Sequence, residues 1–268
     1  MTRADHTTLR QTDVMDLSRA RALQATLGMV PDLEQNDPLP PFFHQIYFWT
    51  ALPLDQLGRD GHPARGQGVI PDLGLPRRMW AGGNLTFHAP LRLGSPATCE
   101  TRLIDATRKS GRSGPLGIIS IELNYTQNGI LCVTEQRDLI YREDADTNAP
   151  KPTPDQAPET SAQEEPLAFS TTQLFRYSAL TFNGHRIHYD VDYAREIEGY
   201  EGLVVHGPLL AQHLILLAQR QLGPMKTFQF RATAPLFHFE QAEACIDGTT
   251  LWIRGPNGRM CMQARATV

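Results

Sequence analysis

Apolar positions recur at helical spacing near the start of the chain and again past its middle, while most of the rest alternates. Between residues 13 and 28, Val14, Leu17, Ala20, Leu23 and Leu27 share one face and the run ends on Gly28, which predicts an amphipathic helix with a glycine stop. The aromatic-dense run from Phe42 to Trp49 reads as a short buried helix, and its periodicity fits a strand as well. From Leu52 to Leu75, Gly58, Gly61, Pro63, Gly66, Gly68, Pro71 and Gly74 interrupt every period, so this is a loop. A loop so long, flanked by apolar segments, is expected to be ordered and to line something. Strand-like alternation follows over 84–91, 97–109, 116–125 and 130–141, with the hairpin signal Asn128-Gly129 before the last. The second half gives a helix from Gly207, then strands over 227–233, 243–247, 251–254 and 259–268, with a turn at Pro256-Asn257-Gly258.

The two series look like copies of one unit. Ala89-Pro90-Leu91 is answered by Ala234-Pro235-Leu236, and Asn128-Gly129-x-x-Cys132 by Asn257-Gly258-x-x-Cys261, in the same order. Two matches at corresponding places favour duplication of a helix-plus-antiparallel-sheet unit. Residues 143–166, rich in proline and acidic residues and poor in large apolar ones, read as a solvated linker. The expected organisation is a unit over 1–142, the linker, and a second unit over 167–268.

Composition removes several classes of function. The chain has 268 residues, a net charge of −4 and no basic tract, so a nucleic-acid partner is not expected. No apolar run reaches the roughly 18 residues of a membrane span, and the first residues lack the apolar core of a secretory signal. A soluble cytoplasmic protein is the expectation. Cys99, Cys132, Cys245 and Cys261 are too far apart for a metal knuckle and read as buried thiols.

Chemistry concentrates in one stretch. His185, His188 and His206 are three of nine histidines, the first two in a turn after Asn183-Gly184, the third directly before Gly207-Pro208 and an apolar helix. Asp190 and Asp192 read as cap and first-turn charges of a helix that follows the turn. The run Asn183-x-His185-x-Ile187-His188-x-Asp190, with His206-Gly207-Pro208-Leu209 behind it, resembles the motif of MaoC-like hydratase 2 enzymes. Pro40-Pro41-Phe42-Phe43, Arg77-Arg78-Met79-Trp80-Ala81-Gly82-Gly83 and the segment from Lys109 to Leu116 extend the resemblance over nearly the whole chain. Within that family it is most similar to the subgroup that hydrates mesaconyl-C4-CoA and itaconyl-CoA.

The resemblance implies an α+β double hotdog, two antiparallel sheets each wrapped around a central helix, with 42–49 and 207–219 as those helices. It implies reversible addition of water to an α,β-unsaturated acyl-CoA thioester, without metal or redox cofactor, and leaves a homo-oligomer open. The family pattern D-x-N-P-x-H sets its final His on His188 and puts His185 where the family has Asn and Asn183 where it has Asp. An amide takes no proton near neutral pH, so His188 is expected to act as both base and acid. Asn183 is then expected to orient the water, with His185 as an auxiliary or merely a turn residue. A core histidine with both nitrogens satisfied is the competing reading of His188.

Gly207, at a helix start, is expected to hold the enolate oxygen through its N–H, against the plainer reading of a tight turn. Arg77, Arg78, Trp80, Lys109, Arg112, Arg231 and His206 are the expected substrate-binding residues. A C5 dicarboxylyl-CoA substrate would need a cation for its free carboxylate. Alternatives are a 3-hydroxyacyl-thioester dehydratase of fatty-acid synthesis and a non-catalytic thioester-binding hotdog.

Overall fold

The computed structural model describes residues 8–111, 114–144 and 153–268. In chain order these form β1 (Leu9–Val14), α1 (Leu17–Thr26), β2 (Arg77–Phe87), β3 (Pro96–Gly111), β4 (Gly114–Gln127), β5 (Ile130–Arg142), β6 (Gln163–Ala168), α2 (Thr171–Leu180), α3 (Val191–Glu196), α4 (Gly207–Leu222), β7 (Thr227–Ala232), β8 (Gln241–Asp247), β9 (Thr250–Arg254) and β10 (Met260–Thr267).

The strands build one 10-stranded sheet in the order β1-β3-β4-β5-β2-β7-β10-β9-β8-β6. This corrects the expectation of two separate sheets. The halves join where β2 pairs antiparallel with β7, from Gly82 opposite Arg231 to Thr86 opposite Thr227. Gly82 and Gly83 permit that seam. A Cβ on Gly82 would lie 2.5 Å from the Phe230 carbonyl oxygen and one on Gly83 2.7 Å from that of Gln136, and β2 bulges against β5 between Trp80 and Gly82.

The duplication read from the sequence is visible in the hydrogen bonds. The Cys132 carbonyl accepts from the N–H groups of His88 (2.8 Å) and Ala89 (3.1 Å), and the Cys261 carbonyl accepts from those of Thr233 (3.0 Å) and Ala234 (3.4 Å). Asn128-Gly129 and Asn257-Gly258 all take positive φ, as tight turns at these points require.

The halves differ in what the sheet covers. In the second, α4 is buried on almost every face, and Leu209, Leu214 and Leu217 are each 0 % exposed, contributing about 1.5–3 kcal/mol apiece by removal from water. In the first, the helix expected over 42–49 shrinks to a single 3-10 turn, Phe43–Ile46. Phe42 and Phe48 both sit at positive φ (70° and 59°), which an α-helix excludes.

Near the N-terminus the predicted helix begins later, at Leu17. Asp16 caps it by accepting from the Arg19 N–H, and residues 9–14 pair with β3 instead. The boundary drawn at 166/167 falls inside β6, an edge strand paired with β8, and residues 145–152 of the linker lie outside the described residues. Helix α2, capped by Ser170, has no counterpart among the elements read from the sequence. No helix among the described residues is long and apolar enough to cross a membrane.

Candidate active site

A cavity of about 1370 Å³ opens between the loop over residues 52–75, the aromatic segment after Phe43, the bulged end of β2 and the turn between α2 and α3. It is ample for a thioester and part of its carrier arm. His188 lines it from a 3-10 turn, Arg186–His188. Two bonds fix that turn to the strand-like segment before α4: the Val204 N–H donates to the Ile187 carbonyl (3.0 Å), and His188 Nδ1 meets the Val204 carbonyl oxygen at 2.7 Å. A carbonyl only accepts, so Nδ1 carries the proton and Nε2 keeps its lone pair. Burial, reinforced by neighbouring His185, pushes the His188 pKa down to about 3 despite the favourable Val204 bond. The imidazole is therefore neutral at pH 7 and able to accept a proton.

The start of α4 supplies the complementary group. The N–H groups of Leu209 and Leu210 both donate to the His206 carbonyl (3.0 and 3.1 Å), and Pro208 has none. Gly207, which lines the cavity, is thus the first-turn residue whose N–H is left without a protein acceptor among the described residues. Its Cβ position is open, with the Trp80 carbonyl oxygen the nearest atom at 3.7 Å. A donor at the positive end of a 16-residue helix, facing a cavity, is suited to an oxyanion.

The sequence-predicted residues divide. Asn183, His185, Arg78 and Trp80 line the cavity with His188 and Gly207. Asn183 Oδ1 accepts from the His185 N–H at 3.0 Å, an Asx turn that leaves one acceptor lone pair. Trp80 donates Nε1–H to the Gly82 carbonyl (2.9 Å) and carries the Arg137 guanidinium 4.6 Å above its ring. His206 does not reach the cavity. It stands behind His188, 0 % exposed, ring stacked at 3.7 Å, with Nε2 2.8 Å from Ser178 Oγ, so it packs against the His188 ring on the side away from the cavity. Arg77 is spent on Glu198 (2.6 Å). Lys109 and Arg231 are exposed on β3 and β7, outside the cavity lining, and Arg112 lies outside the described residues. Asp190 caps α3 by accepting from the Tyr193 N–H (3.0 Å), with Asp192 in the first turn.

Sequence reasoning missed His62 and Asp60, which the 52–75 loop carries to the turn that holds His185 and His188. His62 meets His185 edge to face, ring centroids 4.7 Å apart, and His185 meets His188 at 5.4 Å. Burial holds His62 well below the ordinary imidazole range and His185 down to about 3, in both cases aided by the charge of Arg78. The only available signal was the length and glycine density of the loop.

Residues 42–238 match the model of hydroxyacyl-thioester dehydratase type 2. The chain belongs to that family. It is 42% identical over 258 residues to the mesaconyl-C(4)-CoA hydratase of Chloroflexus aurantiacus, covering 93% of this chain and 91% of that one. It is 29% identical to the mitochondrial hydroxyacyl-thioester dehydratase type 2 of Schizosaccharomyces pombe, over 80% of each chain. In three dimensions this family member superposes on a MaoC-like dehydratase from Phytophthora capsici (13% identity, TM-score 0.69, 98% of this chain and 95% of that one). It also superposes on a Mycobacterium tuberculosis protein with a double hotdog fold (14% identity, TM-score 0.56, 98% and 95%). The architecture is thus of the hotdog type, with the two halves sharing one sheet.

Proposed function

We propose that this hydro-lyase adds water reversibly across an α,β-unsaturated acyl-CoA thioester, and that the acyl group is a C5 dicarboxylic one, mesaconyl-C4-CoA giving citramalyl-CoA; itaconyl-CoA, whose double bond lies one carbon further from the thioester, enters this step only after isomerisation to mesaconyl-C4-CoA. The observation that carries the reaction type is the pairing of a neutral His188, its Nδ1 tied to Val204, with the free N–H of Gly207 on the same cavity. His188 Nε2 takes a proton from water as the oxygen bonds to the β-carbon. The C=C electrons move to the thioester, whose enolate oxygen accepts from the Gly207 N–H. The imidazolium then returns its proton to the α-carbon, so water is added whole and the enzyme is unchanged. The step as proposed draws on no metal or redox cofactor. Asn183 holds the water through its remaining lone pair.

Support for the dicarboxylyl substrate is the likeness to the Chloroflexus aurantiacus hydratase over 93% of this chain. The test is hydration of mesaconyl-C4-CoA, followed by loss of conjugated-thioester absorbance, beside crotonyl-CoA and an enoyl group on acyl carrier protein. Higher kcat/KM for the C5 dicarboxylyl-CoA supports the reading. Preference for crotonyl-CoA makes the chain a general enoyl-thioester hydratase, and preference for the carrier protein makes it a dehydratase of fatty-acid synthesis.

A further inference from the structure

The arginines that line the cavity are Arg59, Arg65, Arg78 and Arg137. Arg59 pairs with Asp144, Arg65 Nη1 lies 3.9 Å from Asp72, and Arg137 Nε lies 2.7 Å from Glu135. Arg78 has no carboxylate within ion-pair distance among the described residues; the polar side chain beside it is the hydroxyl of Tyr141. A half-buried guanidinium with only a phenol for company is costly unless an anion arrives to meet it.

What surrounds Arg78 fixes where that anion would sit. Its charge acts on both His62 and His185, and each of those rings has a buried nitrogen, His62 Nδ1 and His185 Nε2, with no hydrogen-bond partner. His185 is 7 % exposed. Buried polar atoms are rarely left unpaired, and two orphans beside an unpaired cation form a set of donors for one carboxylate. A neutral imidazole donates from whichever nitrogen holds its proton. Asp60 also belongs to this corner: its Oδ1 accepts from the His62 backbone N–H at 3.1 Å and its Oδ2 lies 3.8 Å from His62 Nδ1, so it orients that ring and is not paired with Arg78. Ligand atoms of Asp60, His62 and His185 come within 4.8 Å of one another, near enough for a cation, but the Arg78 charge opposes a second positive charge there.

We infer that Arg78, His62 and His185 form the subsite for the free carboxylate of the acyl group, and so set specificity. This rests on the dicarboxylyl reading above. In such a substrate the carboxylate lies within a few bonds of the β-carbon, and His185 is the immediate neighbour of His188. The phosphates of coenzyme A lie a full pantetheine arm away and cannot reach this corner while the thioester is at Gly207. The bound carboxylate does a second job: its negative charge offsets the burial that depresses His188 and makes the imidazole a stronger base only when the right substrate is present.

The test compares kcat/KM for mesaconyl-C4-CoA and crotonyl-CoA in the full chain with Arg78→Met, Arg78→Lys and His62→Gln, folding being checked by circular dichroism. The ratio of the two is expected to fall by more than about a hundredfold in Arg78→Met, since a site built to bond a polar group discriminates by that much or more. Arg78→Lys should recover part of the ratio and His62→Gln should lose a smaller part. If the wild-type chain shows no preference for the dicarboxylyl thioester, it is the functional reading that fails. A wild-type preference that survives intact in Arg78→Met overturns the subsite, as does an equal loss on both substrates, which would make Arg78 a positioning residue for the histidines. About one zinc ion per chain, lost in His62→Gln, would assign the corner to a cation instead.

Discussion

Gly61 and Gly184 meet backbone to backbone: a Cβ on either would collide with the carbonyl group of the other. The contact seats the 52–75 loop on the His185–His188 turn, where the Arg186 N–H donates to the Asp60 carbonyl (2.9 Å) and the Tyr189 hydroxyl to that of Gly184 (2.9 Å). Gly61 also sits at φ +86°, a conformation that side chains disfavour. Gly184→Ala should therefore push the loop away and carry His62 with it. A displacement on the order of 1 Å at a reacting centre costs about a hundredfold, so kcat/KM should fall by that order while cleavage within 52–75 by a protease becomes faster. Wild-type kinetics in this variant would show that the loop does not order the site.

His188→Ala should remove at least about a hundredfold of kcat, the lower end for a positioned acid and base. Asn183→Ala should cost less, since its Oδ1 already serves the turn, and His185→Ala least on a substrate without a free carboxylate. Steady-state assays on samples with wild-type circular dichroism make the comparison. Near-normal turnover by folded His188→Ala would remove it from the chemistry.

The buried histidines predict two separate acid effects. His188 and His185 are held at about 3 and His213 at about 4, with His62 and His206 also far down, in each case chiefly by burial. With neutral His188 as the proposed base, the acid limb of kcat/KM should lie well below the ordinary 6.5. For stability the sign is opposite to that of a salt-bridged histidine. The unfolded chain takes up protons near 6.5 while the folded chain does not, so stability is full above that pH and declines as pH falls toward 3. Each neutral histidine costs up to about 1.4 kcal/mol per pH unit in that window. Tm should thus drop steeply between pH 7 and 5, with acid inactivation following unfolding. An activity limb centred near 6.5 in a protein whose Tm has not moved would contradict both.

Where hydrophobicity alternates, the sequence shows its structure directly: β4 and β7 follow residues whose faces differ sharply, such as Phe228 and Phe230 inward with Gln229 and Arg231 outward, while β8 and β9, each with three consecutive buried residues, are read from their short apolar runs. The same period explains the error over Arg231, because charge in a strand says nothing about cavities until the register is known. Strand β1 (LRQTDV) is a half-exposed edge with almost no apolar face to read. The failed helix at 42–49 turns on two positive-φ phenylalanines, which no composition signals. That His188 and Gly207 would share one cavity could be read from the sequence because spacing within one turn and one helix start is local. The place of His62 could not, since it exists only once a distant loop is laid across Gly184.

The last prediction concerns Glu135, which is 0 % exposed beneath the cavity floor. It accepts from Arg137 Nε (2.7 Å), Tyr125 Oη (2.9 Å) and Gln45 Nε2 (3.0 Å), and His44 Nε2 lies 3.1 Å away. Burial would raise its pKa, but the Arg137 charge first and the His44 bond next hold it well below the usual carboxylate range. Arg137 in turn lies over Trp80 and lines the cavity. Truncating the carboxylate leaves that guanidinium unpaired, which costs about 3–5 kcal/mol for a buried pair, or roughly 2–4 °C of Tm for each kcal/mol in a chain of this size. Glu135→Ala should show that loss at pH 7. Arg137→Met combined with Glu135→Leu should recover most of it, because an apolar replacement of similar volume removes both charges together. Equal losses in the single and double variants would mean that shape, and not charge pairing, holds this region.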